Sequence, residues 1–228
     1  MTIHLIKALR LVLAGICGVA STALSAASLQ AELVDSQGQP LANAVLTLQG
    51  PLDGVQSASA AVMDQRAKQF VPNVLAIRSG TAVAFPNSDN IRHHVYSFSP
   101  AKRFELRLYQ GTPSEPVRFD TPGVVVLGCN IHDWMVGYIY VTDDPWFAVS
   151  DKRGRLALEQ LPPGRYAVSL WHPQNPDLLV QQAGEVQLGE GANQQRFTLA
   201  IQALGSPAPS EPASAFGDAF KKARDAAQ

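Results

Sequence analysis

Residues 123–141 read GVVVLGCNIHDWMVGYIYV. Gly123 to Cys129 is a nearly continuous apolar run, the pattern of a strand covered on both faces. Tyr138 to Val141 is a second run of strand-forming residues, so the chain turns back between them. The stretch predicts two adjacent strands with Cys129 ending the first and His132 and Met135 on the short connecting loop. A soft thiolate, an imidazole and a thioether spaced three residues apart suit copper better than zinc, calcium or a disulfide. A second imidazole is available 36 residues before Cys129, at His93 or its neighbour His94. Two His, one Cys and a weak axial Met form the ligand set of a blue-copper electron-transfer site.

The N-terminus bears on the thiol. Lys7 and Arg10 precede the mostly apolar run Leu11–Leu24, and Ser25-Ala26-Ala27 offers small residues for cleavage. Residues 1–27 therefore read as an export signal, which predicts a periplasmic protein. The apolar run is short for a membrane span, so no stable span is expected after its removal. An uncleaved anchor is the other reading. Ile16 before Cys17 does not suit a lipoprotein signal. The chain has two cysteines, and loss of Cys17 with the signal leaves Cys129 alone. No intrachain disulfide is then possible, and a lone thiol in an oxidising compartment is a liability unless something occupies it. Metal ligation would do so; a buried inert Cys acting as a small hydrophobe is the alternative. Charge says little: 18 Lys and Arg stand against 19 Asp and Glu. Without a basic run or aromatic-interleaved basic patch, no nucleic-acid partner is expected.

Working outward, the chain reads as β throughout, with Gly and Pro recurring between runs of Val, Leu, Phe and Tyr. Ala31 to Leu48 has the form of a hairpin turning at Asp35-Ser36-Gln37-Gly38. Val74–Ile77 and Ala82–Phe85 flank Gly80 as another pair of strands. Val95–Phe98, Arg103–Leu108 and Val117–Phe119 follow. After Asp144-Pro145 the pattern restarts, with turns at Ser150–Gly154 and Leu161–Gly164. Arg165–Trp171, Val186–Leu188 and Arg196–Ile201 are the strands expected there. Residues 203–214 are rich in Ser, Ala and Pro, as flexible linkers are. Ala215–Ala227 has the pattern of a short amphipathic helix without an assigned role.

The combined motif resembles the cupredoxins, the family of plastocyanin, azurin and amicyanin. Cys129-x-x-His132-x-x-Met135 is similar to the short ligand loop of amicyanin. Val62–Val83 resembles the first two cupredoxin strands, and Asn87 and Gly123 each fall six residues before His93 and Cys129, as in the family. The likeness covers about residues 58–142. With its MDQ, PNSDNIRHHVYSFSPAKRFELRLY and GCNIHDWM segments the chain also resembles exported cupredoxin-like proteins labelled methylamine-utilisation proteins. The resemblance implies one type 1 copper ion held by His93, Cys129, His132 and Met135. It further implies that Asn87 braces the Cys129 loop through a side-chain to backbone hydrogen bond. Where the family usually reads Pro-His-Asn, this chain has Arg92-His93-His94, so the choice between His93 and His94 stays open. Spacing from Asn87 favours His93, and adjacent strand residues point to opposite faces. His94 is then an outer partner or a surface residue. Asp133 and Trp134 depart from the amicyanin loop; Trp134 either covers the metal, joins an apolar docking surface or packs structurally. Met63 reads as core and His172 as structural.

The flanking segments carry a second resemblance. Val34–Leu48 and Ser150–Tyr166 look like the two halves of a carboxypeptidase-regulatory-like β-sandwich. The expected organisation is an all-β chain: a Greek-key cupredoxin sandwich over 58–145, inserted into a discontinuous sandwich made of 28–57 and 146–202, and a tail over 203–228. The leading functional expectation is one-electron transfer between redox protein partners. Copper trafficking or storage, and a structural β protein with a vestigial site, are the alternatives. Without a nucleophile elbow, a phosphate loop or a second His-rich cluster among its five histidines, the chain is not expected to be an enzyme.

Overall fold

The structure is a computed structural model that describes residues 26–52 and 60–201, with Ala219, Lys222, Ala223 and Asp225. Most of the export segment, residues 53–59 and the 203–214 linker lie outside the described residues. The strands run β1 (Ala27–Val34), β2 (Val45–Gln49), β3 (Ala61–Val62), β4 (Asp64–Arg66), β5 (Gln69–Val71), β6 (Val74–Arg78), β7 (Thr81–Ala84), β8 (His93–Ser97), β9 (Phe104–Tyr109), β10 (Val117–Phe119), β11 (Gly123–Cys129), β12 (His132–Thr142), β13 (Trp146–Val149), β14 (Arg155–Leu161), β15 (Gly164–Trp171), β16 (Gln181–Leu188) and β17 (Gly191–Thr198). A 3-10 turn occupies Pro176–Leu178, and residues 219, 222, 223 and 225 are helical. No helix among the described residues is long and apolar enough to cross a membrane.

Among the described residues, four of the five sheets are packed through three cores, and the fifth is the two-stranded β4–β5 pair. Sheet β14-β1-β17 faces sheet β13-β2-β15-β16 across Leu29, Leu33, Leu46, Leu48, Tyr166 and Val168. Sheet β6-β12-β11-β8-β9 faces sheet β10-β7-β3 across Phe70, Phe85, Val95, Phe119, Val125, Leu127 and Ile139. The two pairs meet through a third cluster that joins Val74, Val126 and Tyr140 to Val45 and Trp171. Strands of 27–49 thus pair with strands of 146–198, while 61–142 form the other pair of sheets between them.

The side-chain alternation of a strand explains this layering. In β11, Val125, Leu127 and Cys129 enter one core, and Val124 and Val126 enter the next. Strand β12 repeats the pattern, with Met135, Ile139 and Val141 on one side and Val136, Tyr138 and Tyr140 on the other. Both tyrosines meet Trp171, at ring-centroid distances of 5.8 Å for Tyr138 and 5.5 Å for Tyr140. Such pairs contribute about 0.5–1.5 kcal/mol each beyond their buried area. Ala219 and Ala223 of the C-terminal segment are buried in this same cluster, so these residues of the expected short helix have a packing role.

Several sequence expectations change. The 31–48 segment is not a hairpin of paired strands. Asp35 Oδ1 accepts the N–H groups of Gln37 and Gln39, each at 2.8 Å, and forms the turn. Beyond it the chain crosses to the facing sheet, because β14 and β17 already occupy both edges of β1. Strands β6 and β7 likewise enter opposite sheets. Ala27, placed in the export signal by its sequence, is the first residue of β1 and is buried. The hairpin β4–β5, with Arg66 opposite Gln69, carries too few apolar residues to be read as a pair of strands, and β13 and β14 are further strands that the sequence reading did not assign.

Next to Trp171, His172 is buried with a complete set of neutral-ring hydrogen bonds. Its Nε2–H donates to Ala42 O at 3.1 Å, and its Nδ1 accepts Gln174 N–H at 3.2 Å. Burial lowers its pKa, only partly offset by the bond to Ala42. The folded protein therefore binds this proton less readily than the unfolded chain does. Stability from this group is full above an ordinary His pKa of about 6.5 and falls as pH drops toward the lowered folded value. Urea midpoints of metal-free protein should decline between pH 7 and 5 more steeply for wild type than for His172→Gln. Parallel declines would show that His172 titrates equally in both states.

Candidate metal centre

The site forms where three strands end together. Strand β11 brings Cys129 to the edge of its core, and β12 starts at once, so Cys129 pairs with His132 across a register irregularity after Gly128. His132 and Met135 accordingly lie in the first turns of strand β12, where the sequence had suggested a loop. Strand β8 runs antiparallel to β11 on its other side and begins at His93.

His93 Nδ1 lies 3.8 Å from Cys129 Sγ, and His132 Nδ1 lies 3.7 Å from it. The three donor atoms all lie within 4.8 Å of one another. His93 is fully buried, and Cys129 and Met135 nearly so; His132 is half-buried. Met135 belongs to the same core cluster as Cys129, and so does Met63. His94 points the other way. Its Nε2 lies 3.0 Å from Glu105 Oε1, and its ring lies against Tyr96 in a surface cleft with Phe98 and Arg103. Strand alternation thus separates the adjacent histidines, and His93 is the one beside the thiol.

This donor set fits a single soft or borderline ion. A nitrogen about 2.1 Å and a sulfur about 2.3 Å from one ion, at trigonal angles, stand about 3.8 Å apart. Both measured N···S separations match. Burial lowers the pKa of His132, reinforced by the charges of His93 and Lys68 and opposed by Asp89. The shift favours the neutral ring, which has a lone pair to give, as ligation requires.

The surroundings hold the ligands from two directions. Asn87 is buried, but its side chain does not reach for the Cys129 loop as the resemblance implied. Its Nδ2 donates to Ile91 O at 2.8 Å and Tyr109 O at 2.9 Å, and its Oδ1 accepts Asp89 N–H at 3.1 Å. It shapes the loop that delivers His93, because that loop lies beside β9. Beneath it, Gln65 bonds to the Tyr109 hydroxyl, which donates to Phe85 O at 2.7 Å. Asp89 Oδ2 lies 2.7 Å from His93 Nε2. Sequence reasoning missed Asp89, since its other partners lie on a hairpin turn more than 20 residues upstream. On the outer side, the Trp134 ring contacts His132 at a centroid distance of 5.3 Å. Trp134 is 37% exposed and Ile131 47%, so an apolar rim surrounds the exposed edge of His132.

No protein-family model matches the chain, and no curated protein does. Solved structures share part of its architecture. The Cu-containing nitrite reductase of Thermus scotoductus SA-01 is 24% identical, with 41% of this chain and 27% of that one aligned and a TM-score of 0.35. The chain thus spans about a quarter of that enzyme's length. The purple cupredoxin of Nitrosopumilus maritimus is 23% identical over 37% of this chain and all of its own, at a TM-score of 0.32. An oxidized amicyanin variant is 17% identical over 44% of this chain and 99% of its own, at 0.34. The chemistry of the site rests on its own geometry and not on these scores.

The geometry makes a sharp distinction between neighbouring residues. His93→Gln should weaken copper binding by more than the roughly 10–100-fold that loss of an outer partner costs. His94→Gln should leave it near wild type. Competitive titration with a chelator of known affinity checks both, and equal losses would remove His93 from its place beside Cys129.

Proposed function

We propose that this chain is an exported protein that holds one copper ion in a type 1 site and passes single electrons between protein partners. The observation that carries the reading is one buried thiol with two imidazole Nδ1 atoms at 3.7 and 3.8 Å. Copper in a Cys/His/His set with a weak axial Met supplies a one-electron couple. In this reading His93, Cys129 and His132 are the strong ligands and Met135 the weak one.

The protein's part is to keep those donors in place whichever charge state they serve. Cys129 and Met135 sit on β11 and β12, neighbouring strands of the five-stranded sheet with a core on each side. His93 is held in the core, and His132 alone reaches the surface. The half-buried edge of His132, ringed by Ile131 and Trp134, is where a redox partner would approach. In this reading the four ligands fill the coordination of the ion and leave no place for a substrate, which favours electron transfer over catalysis. Export by an N-terminal signal that ends before Ala27 is part of the proposal, and its removal leaves Cys129 as the single thiol.

The test is optical. Purified mature protein loaded with Cu(II) should show an intense thiolate-to-copper charge-transfer band in the visible, absent from Cys129→Ser. Tight Cu(I) binding without that band would point to copper trafficking or storage with the same ligands. Failure to bind copper at all would leave a structural β protein.

A further inference from the structure

We propose that Asp89 is a positioning residue of the metal site, tying His93 to the tip of the β4–β5 hairpin. The inference rests on the reading of His93 as a ligand. The Asp89 carboxylate accepts three hydrogen bonds from two parts of the chain. Its Oδ1 takes Ala67 N–H at 2.6 Å, and its Oδ2 takes Lys68 N–H at 2.9 Å and His93 Nε2–H at 2.7 Å. Its side chain is 14% exposed and that of His93 fully buried.

The hairpin tip needs this anion. Ala67 and Lys68 are the two central residues of the turn, and both have positive φ, 51° and 58°. That conformation matches the twist of a two-residue hairpin but usually calls for Asn and Gly. For residues with a Cβ it is strained. Charge-assisted bonds from both N–H groups to one carboxylate offset that strain, being about twice as strong as neutral ones.

The same carboxylate decides which nitrogen of His93 is free. An Nε2–H bonded to Asp89 leaves the lone pair on Nδ1, the atom facing Cys129 Sγ. Outer partners of this kind fix the tautomer and ring orientation of a ligand histidine and raise its basicity. A negative charge next to a ligand also stabilises the more highly charged state of the ion. Among the described residues no carboxylate is bonded to His132, whose neighbour is Trp134. The two imidazoles are therefore held unequally: His93 by a fixed anion in the core, His132 by packing at the rim. Phe70, in the middle pair of the hairpin, anchors it to the core. A Cβ on Gly137 of β12 would come within 2.7 Å of it, so glycine there lets the hairpin lie directly on the strand that carries His132 and Met135.

The experiment has two arms. In metal-free protein, ring nitrogen NMR shifts should show His93 in the Nε2–H tautomer. Asp89→Asn, which keeps an acceptor for the turn, should lose that single tautomer. In the copper arm, Asp89→Asn should weaken affinity about 10–100-fold and raise the reduction potential. Ser88→Ala is the control. It removes the Ser88–Asp64 hydrogen bonds at 2.9 Å, loosening the same loop without touching the carboxylate, and should leave tautomer, affinity and potential unchanged. An unaltered tautomer and affinity in Asp89→Asn, or equal losses in Ser88→Ala, would overturn the proposal. Wild-type protein that fails to bind copper would instead overturn the functional reading, while the metal-free arm still tests the hold of Asp89 on His93.

Discussion

The arrangement depends on one constraint: strand β11 is buried on both faces. A strand in that position alternates its side chains between two cores and leaves none to solvent. Val125, Leu127 and Cys129 fall on one side and Val124 and Val126 on the other. The thiol is therefore delivered to a dry core edge by the register of the strand, with no freedom to turn outward. The paired strand β12 has the same character, and its irregular start beside Cys129 brings His132 close enough to share a ligand position. A one-residue slip would turn Cys129 to the other face of the sheet and dismantle the site.

The second pair of sheets explains why the outer faces of these strands are apolar. Tyr138 and Tyr140, pushed to pKa values of about 12 by burial, lie under Trp171 and not in water. Covering that face keeps the five-stranded sheet from sliding, and a metal site spread over β8, β11 and β12 depends on their register. Toward β8 and β9 the cover ends, and the same outer face carries His94, Tyr96 and Phe98 beside a cleft of about 630 Å³. The alternation that separates His93 from His94 is thus a separation between the thiol-side core and the opposite face of the sheet.

The site divides into parts held by different means. His93 is gripped by Asp89, and the loop before it by Asn87, Gln65 and Tyr109. Cys129 is held by sheet register. His132 is held by neighbouring rings and remains half-open. A centre with a rigid interior and one accessible edge suits a protein that must change charge state with little movement and still touch a partner.

Much of this was legible in the chain. The continuous apolar run before Cys129 reads as a strand covered on both sides, and the donor types and their spacing of three point to a soft metal. The period-two rule put His93 and His94 on opposite faces, but it could not say which face was which. Local pattern also could not show that Asp35 turns the chain into another sheet, because that depends on which edges of β1 are already occupied. Nor could it show that Asn87 ties the His93 loop to Tyr109 or that Asp89 joins that loop to Ala67 and Lys68, since these bonds link segments over 20 residues apart through backbone groups that carry no signature. The sequence by itself determined strand character and donor chemistry, because both depend on residue type and short spacing. Only the tertiary structure decided which histidine faces the thiol and what holds it there, because those are facts of register and packing between distant strands.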